Sequence, residues 1–359
     1  MTDLLDNDLA CALENLRRLV EIPSCSREED GTAAYILAHL TSRGIQASRI
    51  KNNVWAANRY FDPQKPTLLL CSHHDTVRPA SGYTRDPYCA CLEDGRLYGL
   101  GSNDAGAPLV ALMETFAAFY HEKDLQYNLI LAAVAEEECS GADGVSALLP
   151  HLPPIDCALV GEPTDMRMAV AEKSLIVVDC TAHGRSGHAA RDEGDNAIYK
   201  AMRDIQAIRD YRFARRSDTL GEVKMSVTMV QAGTQHNVVP DKCTFVVDIR
   251  TTDAYTNGEI MEILQGLIAS QASARSLRRR ASSIPMDHPL VKAGLSLGLV
   301  PFGSPTLSDQ ALLSCPSLKI GPGKSERSHT ADEYVEVEEL RRGLSVYRQL
   351  LRAVLCAQG

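Results

Sequence analysis

The sequence comprises 359 residues with a mass of 39.1 kDa, of which 45% are hydrophobic and 23% are charged. This length exceeds what one hydrophobic core usually organises, and it predicts two domains or one large α/β domain with an insertion. The composition excludes a disordered chain, and the net charge of −9 disfavours nucleic acid and anionic membranes as partners.

The apolar runs and the cysteines exclude further classes of protein. The longest apolar stretches, such as 129–135, are far shorter than the about 20 residues of a membrane-spanning helix. The acidic N-terminus lacks the basic leader and long apolar run of a secretory signal, so we expect a cytoplasmic protein. The 11 cysteines include no Cys-x-x-Cys pair, so we expect reduced and mostly buried thiols.

The first half of the chain opens with helical periodicity and continues with buried strands. Apolar residues at helical spacing predict helices over 8–20 and 31–43. Beyond them, continuous apolar runs alternate with helical segments, which is typical of a parallel sheet covered on both faces. The predicted strands are 67–72, 128–135 and 157–161, and the predicted helices are 105–119 and 144–149.

The pattern changes near residue 173 and changes back after residue 285. Between them the order of elements is β-α-β-β-α-β, as in a ferredoxin-like domain, with the alternation of a sheet open on one face. The strands are 174–182, 223–232, 242–250 and 275–283, and the helices are 195–211 and 257–270. The last strand includes the basic cluster 275–280, which we interpret as a solvated face.

We therefore predict a mostly parallel α/β domain that is discontinuous, formed by residues 1–172 and 285–359. It is interrupted by an inserted ferredoxin-like domain of residues 173–284, and the chain ends in a helix over 336–355.

Residues of the metal-binding types follow the buried strands. Ligands of parallel α/β sheets sit at the carboxyl ends of the strands, so these residues are expected to converge. They are His73, His74 and Asp75 after the first strand, Glu136, Glu137 and Glu138 after the second, Glu162 after the third, Asp104 before a helix, and His329 after a Gly-Pro-Gly loop. Two imidazoles and three or more carboxylates suit one or two divalent metals. Without a cation, the carboxylates would repel one another.

Two other motifs resemble nucleotide-binding loops and are rejected. In Gly99-x-Gly101-x-x-Asp104 a carboxylate replaces the third glycine and would repel a pyrophosphate. Gly323-Lys324-Ser325 ends like a phosphate-binding loop, but its first glycine would fall at Leu318. A nucleotide-dependent enzyme is therefore not expected.

Five motifs spread over nearly the whole chain resemble those of the di-zinc amidohydrolases. They are Ser72-His73-x-Asp75-Thr-Val, Gly-x-x-Asp104, Glu137-Glu138, Gly161-Glu162-Pro-Thr and Ser328-His329-Thr-x-x-Glu-Tyr. This family includes acetylornithine deacetylase, succinyl-diaminopimelate desuccinylase, carboxypeptidase G and aminoacylase, and the chain is most similar to the acetylornithine deacetylase branch.

The resemblance implies a catalytic domain that binds two divalent metal ions, zinc or alternatively cobalt, with Asp104 bridging them. The other implied ligands are His73 and Glu162 for one metal and Glu138 and His329 for the other. The amide substrate would be hydrolysed by water that the metals activate.

The resemblance also implies that Asp75 orients the ligands of the first metal and that Glu137 is the general base. Glu136 stands where many relatives carry aspartate, which leaves open a shift of base and ligand by one position. The residues after Asp104 lack a lysine that many relatives have. His74 is a competing ligand, although alternation along a strand would point it away from His73.

The inserted domain, by the same resemblance, is a lid through which the protein forms a homodimer. His188 would reach the partner subunit's site and stabilise the oxyanion of the transition state. Asn237 and Arg250 resemble positions that contact substrate, and an arginine suits an α-carboxylate. For His188 a plain surface-loop position, and for Arg250 a structural ion pair, stay open.

Together these features predict deacylation of a small-molecule N-acyl amino acid, with N-acetylornithine in arginine biosynthesis as the first hypothesis. N-succinyl-ornithine or N-acyl-citrulline would suit the same machinery, since few pocket residues distinguish such substrates. A dipeptidase is also open. A non-catalytic binding module on the same fold is the alternative of another class, and the presence of every ligand type argues against it.

Overall fold

The computed structural model describes residues 2–356, and side chains from residue 5 onwards. The chain divides into two compact units. The first unit runs up to Val170 and resumes over Ser283–Phe302 and from Ser308, while the second comprises Ala171–Ser282 and Gly303–Leu307. None of the helices in the described part of the chain is long and apolar enough to cross a membrane.

The part of the chain that precedes residue 173 contains helices interspersed with strands. Its helices are α1 (Thr2–Glu21), α2 (Asp30–Ser42), α3 (Ala107–Phe119) and α4 (Val145–Leu148). Its strands are β1 (Ala47–Ile50), β2 (Asn53–Ala57), β3 (Thr67–His73), β4 (Cys91–Glu93), β5 (Arg96–Tyr98), β6 (Asn128–Val134), β7 (Cys157–Val160) and β8 (Met168–Glu172). A π-type turn, Ser102–Gly106, precedes α3.

The second unit follows with two helices against an antiparallel sheet, and the chain then returns to the first unit. The next elements are β9 (Ser174–His183), β10 (Gly187–His188), α5 (Ala197–Asp210), β11 (Lys224–Ala232), β12 (Val238–Val239), β13 (Lys242–Thr251), α6 (Asn257–Leu267) and β14 (Gln271–Ala274). The final elements are β15 (Ser282–Ser283), α7 (Pro289–Ser296), β16 (Pro301–Ser304), β17 (Ser317–Lys319), β18 (Tyr334–Glu336) and α8 (Val337–Leu355).

The sheet of the first unit is mostly parallel at its centre. Its strand order is β1-β2-β6-β3-β7-β17-β8-β15, and β16 also pairs with β8. Strand β3 pairs in parallel with β6 and β7, and β17 pairs in parallel with β7. The pairs β1–β2, β2–β6 and β17–β8 are antiparallel. The predicted α/β class is therefore confirmed.

Both faces of this sheet are buried, which explains the continuous apolar strands. Along β3, Leu68 and Leu70 belong to the core cluster that includes residues of α1, α3 and α8. Leu69 and Cys71, which alternate with them, belong to a second cluster on the opposite face. A strand buried on both faces needs an apolar residue at every position.

The second unit has the strand order β11-β13-β9-β14, with all its pairs antiparallel. In β9, buried residues alternate with partly or fully exposed ones, as expected for a sheet with one open face. Its own core is formed by such residues as Ile176, Phe245 and Leu264. Its role as a lid and dimerisation domain stays a prediction.

The strand predicted over 275–283 is wrong. The fourth strand of this sheet, β14, ends at Ala274, and most of the following residues are irregular before the short β15. The strand pairing shows where the prediction fails. Ala272 and Ala274 of β14 oppose Cys180 and Val178 of β9, while the arginine-rich residues that follow are not part of this strand. Small residues thus form the edge strand, and the basic residues follow it.

Candidate active site

His73 is the last residue of β3 and lies at the carboxyl end of the central strands. Its side chain is 1% exposed. The Nδ1 atom hydrogen-bonds with the backbone oxygen of Asp75 at 3.0 Å, which fixes the ring and directs Nε2 towards the carboxylates. Nε2 lies 3.2 Å from Oδ1 of Asp104 and 3.8 Å from Oε1 of Glu162.

His74 points away from this group, as strand alternation predicts. Its ring lies between Thr32, 2.8 Å from Nδ1, and the backbone oxygen of Asn52, 2.9 Å from Nε2. Burial lowers the pKa of His74, which favours the neutral ring. Both nitrogens are therefore used in hydrogen bonds outside the cluster, and His74 is not a competing ligand in this structure.

Asp104 lies in the π-type turn that precedes α3. Asp104 and Ala105 have non-helical backbone angles, and Pro108 occupies the first turn of the helix, so α3 begins at Ala107 and not at the predicted residue 105. The turn holds the carboxylate between two imidazoles. Oδ1 faces Nε2 of His73, and Oδ2 lies 3.7 Å from Nε2 of His329. This is the arrangement that a bridging ligand requires.

The three consecutive glutamates after β6 point in different directions. Glu136 has a left-handed backbone with φ of 55°, and its Oε2 accepts a hydrogen bond from the backbone N–H of Asp143 at 3.1 Å. Oε2 of Glu137 lies 4.0 Å from Nε2 of His73. The Glu138 carboxylate contacts Nε2 of His329 at 2.8 Å. Glu136 is therefore turned to its own loop, while its two neighbours face the imidazoles.

Asp75 lies behind these residues and organises the backbone of the glutamates. Its side chain is fully buried. The two carboxylate oxygens accept the backbone N–H groups of Glu137 at 3.0 Å and Glu138 at 3.2 Å, and Oδ2 also accepts from the Ser26 hydroxyl at 2.7 Å. Burial acts to raise the pKa of Asp75, but hydrogen bonding with His73 and Ser26 outweighs it and lowers the pKa.

We call His73, Asp104, Glu137, Glu138, Glu162 and His329 the sheet-edge cluster. Within it, ligand atoms of His73, Asp104 and Glu138, and separately those of His73, Glu137 and Glu162, all lie within 4.8 Å of one another. Imidazole nitrogens and carboxylate oxygens in this number are a donor set that suits two divalent metals such as zinc.

The pKa values in the cluster show which buried negative charges such cations would stabilise. Burial raises the pKa of both Glu137 and Glu162 well above the ordinary value, and neighbouring carboxylates add to the effect. The pKa of His329 is raised to about 9, first by its hydrogen bond with Glu138. Carboxylates buried this closely are costly as anions unless positive charge compensates them. The residues therefore fit the metals that the sequence implies.

Three further ionisable residues lie near the cluster, and of these only Glu333 belongs to a motif found in the sequence, Ser328-His329-Thr-x-x-Glu-Tyr. Lys319, at the end of β17, lies close enough to lower the pKa of Glu162, and Asp309 raises that of Glu137. Glu333 accepts hydrogen bonds from the turn that carries Asp104. Lys319 could have been found from the sequence, because it is the last residue of a buried strand. Asp309 could not, because it lies in a short 3₁₀ turn without any motif.

The predicted lid residues belong to the second unit. His188 and Asn237 are brought together, because β10 pairs with β12 and the N–H of Ala189 donates to the Asn237 backbone oxygen. Nδ1 of the exposed His188 accepts from the Ala190 N–H at 3.1 Å. The Arg250 guanidinium pairs with Asp248 at 2.9 Å.

Comparison with known proteins identifies the family of this chain. A model of the peptidase family M20/M25/M40 matches residues 69–353. The chain belongs to this family. The prediction that it is an enzyme, a metal-dependent amidohydrolase, is confirmed at this level.

Two relatives of this M20/M25/M40 member carry named activities. It is 29% identical to acetylornithine deacetylase of Shigella sonnei, in a match covering 94% of this chain and 96% of that enzyme. It is 26% identical to succinyl-diaminopimelate desuccinylase of Corynebacterium glutamicum, with 93% and 94% covered. The predicted family resemblance is therefore confirmed.

The fold is also similar to that of solved M20 structures. The YXEP protein of Bacillus subtilis, described as a dinuclear metal-binding peptidase, superposes with a TM-score of 0.73 at 17% identity. The match covers 98% of this chain and 99% of that one. At this identity the likeness concerns the fold alone.

Proposed function

We propose that the protein hydrolyses the amide bond of an N-acyl amino acid and that its substrate is N-acetylornithine, as in arginine biosynthesis. The observation that carries the proposal is the sheet-edge cluster, in which imidazoles and buried carboxylates converge. The similarity to acetylornithine deacetylase over nearly the whole chain favours this acyl group and this amino acid.

Under this proposal His73 and Glu162 would hold one divalent metal, Glu138 and His329 would hold the other, and Asp104 would be a ligand of both. Zinc is the proposed metal and cobalt the alternative. When bound, the metals would polarise the substrate carbonyl and lower the pKa of the attacking water.

The remaining roles fall to side chains that do not ligate. Glu137 takes the proton of the water as its oxygen attacks the carbonyl carbon, and it delivers a proton to the amine nitrogen as the C–N bond breaks. Asp75 holds the peptide N–H groups of Glu137 and Glu138 and faces the His73 ring, so it positions base and ligands together.

His188, Asn237 and Arg250 are proposed to contact the substrate, with His188 acting on the partner subunit of a homodimer. Because Nδ1 of His188 accepts an N–H, the neutral ring carries its proton on Nε2, which is the donor an oxyanion requires. Arg250 offers a fixed charge for the α-carboxylate, and its pair with Asp248 keeps the guanidinium oriented.

Amine release from N-acetylornithine and N-succinyl-ornithine, each with and without a chelator, tests the reaction and the substrate together. We expect chelator-sensitive release that favours the acetyl compound. A preference for the succinyl compound would contradict the proposed substrate and keep the mechanism. Release only from dipeptides would identify a dipeptidase, and release from none of these would favour the binding module.

Mixing two inactive variants tests the action of His188 across the dimer. Glu137→Gln and His188→Ala chains, with subunits allowed to exchange, should recover about a quarter of the wild-type rate, because half of the dimers are mixed and each has one intact site. Native mass spectrometry shows whether mixed dimers form. Mixed dimers that form but have no activity would refute action in trans.

A further inference from the structure

One buried carboxylate lies beneath the turn that carries Asp104. Glu333 is 2% exposed. Its Oε1 accepts the backbone N–H groups of Asn103 at 2.8 Å and Asp104 at 2.9 Å, and its Oε2 accepts that of Gly101 at 3.0 Å. Successive N–H groups of one turn thus converge on a single anion, in the manner of a backbone nest.

The backbone of the turn is shaped for this contact. Gly101 has φ of 77°, a left-handed conformation that glycine adopts without strain. A Cβ at Gly101 would lie 2.6 Å from the Thr76 side chain, so the position also lacks room for one. The N–H of Gly99 donates to the backbone oxygen of Glu333 at 2.9 Å. Residue 333 therefore accepts hydrogen bonds from the backbone at both ends of the segment from Gly99 to Asp104.

A second link joins the same two segments of the chain. The Asn103 side chain donates from Nδ2 to the backbone oxygen of Lys324 at 3.1 Å, and its Oδ1 accepts the Lys324 N–H at 2.8 Å. His329 lies between Lys324 and Glu333 in sequence. The loop that presents His329 is thus fastened at both of its ends to the turn that presents Asp104.

The carboxylate is kept at this place despite its cost. Glu333 is 2% exposed and lies near the Asp104 carboxylate, so burying a carboxylate here is costly. An apolar residue would avoid that cost but would leave the N–H groups of the turn buried without acceptors. The contact is therefore suited to fixing the geometry of the turn more than to gaining stability.

We propose that Glu333 is a positioning residue that sets Asp104 relative to His329 and so determines how tightly the two metals are bound. The inference rests on the proposed function only in taking Asp104 and His329 as metal ligands. Glu333 touches no substrate or reacting atom and acts through the backbone of the turn. Groups behind metal ligands have this effect in other proteins.

Glu333→Gln in the full chain is the decisive change. The amide keeps the size of the side chain but has one acceptor oxygen, and its NH₂ group would face an N–H of the turn. We expect zinc affinity, measured by competition with a chromophoric chelator, to fall about 10- to 100-fold, the range for residues that support metal ligands. At saturating zinc most of the turnover should return, with KM unchanged.

Two further variants separate this role from a general loss of structure. Glu326→Gln makes the same change at an exposed residue of the same segment and should leave zinc affinity unchanged. Glu333→Asp keeps the charge and should fall between the wild type and Glu333→Gln in zinc affinity. If Glu333→Gln does not fold, the aspartate variant alone decides the matter, and wild-type zinc affinity in it would overturn the proposal.

Unchanged zinc affinity in a folded Glu333→Gln protein would also overturn the proposal, as would a loss of turnover that persists at full metal occupancy. Because zinc affinity is measured without substrate, the affinity result stands whether or not N-acetylornithine is hydrolysed.

Discussion

Two regions of the first unit gather residues of the metal-binding types, and they differ in how charge is compensated. One is the sheet-edge cluster. The other, which we call the helix cluster, comprises Cys11, His39 and Glu114, whose ligand atoms also lie within 4.8 Å of one another. By composition and distance alone, both are candidate metal sites.

In the helix cluster the protein itself compensates the buried charge. Oε2 of Glu114 accepts from Arg43 at 2.6 Å, and Oε1 accepts from Asn15 at 3.2 Å and from the Cys11 thiol at 3.3 Å. Burial acts to raise the pKa of Glu114, but the contacts with His39 and Arg43 outweigh it and lower the pKa. The amide of Asn15 also lies 3.2 Å from Nε2 of His39, where a metal would need that nitrogen.

For Glu137 and Glu162 of the sheet-edge cluster the balance is reversed, because burial raises their pKa well above the ordinary value. Burial also acts to raise the pKa of Asp104, but its contacts with His73 outweigh this and lower it. Ligand types within reach are therefore not enough to indicate a metal site. The useful criterion is whether neighbouring protein groups already neutralise the carboxylates.

Glu137→Gln should lower turnover about 100- to 10,000-fold, the contribution expected of a general base, while metal content stays at the wild-type level. The rate under saturating substrate and metal analysis by atomic absorption measure the two quantities. Glu136→Gln is the matched control, because that carboxylate faces the Asp143 N–H, and its turnover should stay close to the wild type. Loss of turnover in Glu136→Gln instead would show that the base is shifted by one position.

Zinc should stabilise the metal-free protein, prepared with a chelator, by about 4 kcal/mol when the zinc concentration is 1,000 times the dissociation constant for zinc. The gain should disappear largely in His329→Ala and persist in His39→Ala, since only the first removes a ligand of the sheet-edge cluster. Thermal melts with and without zinc measure the gain. A His39→Ala protein that loses bound zinc would mean that the helix cluster also holds a metal.

Arg43→Met should destabilise the metal-free protein by about 3 kcal/mol, because the buried Glu114 carboxylate then lacks the guanidinium that pairs with it. The midpoint of urea unfolding measures the loss. Arg18→Met is the control, because Arg18 pairs with the exposed side chains of Glu14 and Glu21, and the midpoint should not move. Equal midpoints for the two variants would show that Arg43 does not compensate Glu114.

The pH dependence of stability should reflect the lowered pKa of Glu114. Its ionised form is favoured in the folded state, so its contribution is fully present above its ordinary pKa of 4.5 and is lost as the pH falls through the lower pKa of the folded protein. The difference in unfolding free energy between wild type and Glu114→Gln should therefore be constant above that pKa and shrink below it. A difference that grows on acidification would contradict the assigned direction.

Patterns of local origin were predicted well. The apolar run that forms β3 and the helical spacing of α8 are properties of short segments, because burial of one or both faces imposes a period on the sequence. The segment 275–283 shows the limit, since its alternation resembles a strand but the edge strand that pairs with β9 is Gln271–Ala274 and ends before it. Pairing between distant strands decides such cases.

The α/β class, the family and the types of residue at the ends of the strands can be read from the amino-acid sequence, because each is recorded in a motif or a local period. Only the tertiary structure decided that Glu136 turns away from its neighbours, that Glu114 is neutralised by Arg43, and that Glu333 supports a turn more than 200 residues earlier. The last two are contacts between segments far apart in the chain. Their energies depend on burial and on the charges nearby, which no local pattern records.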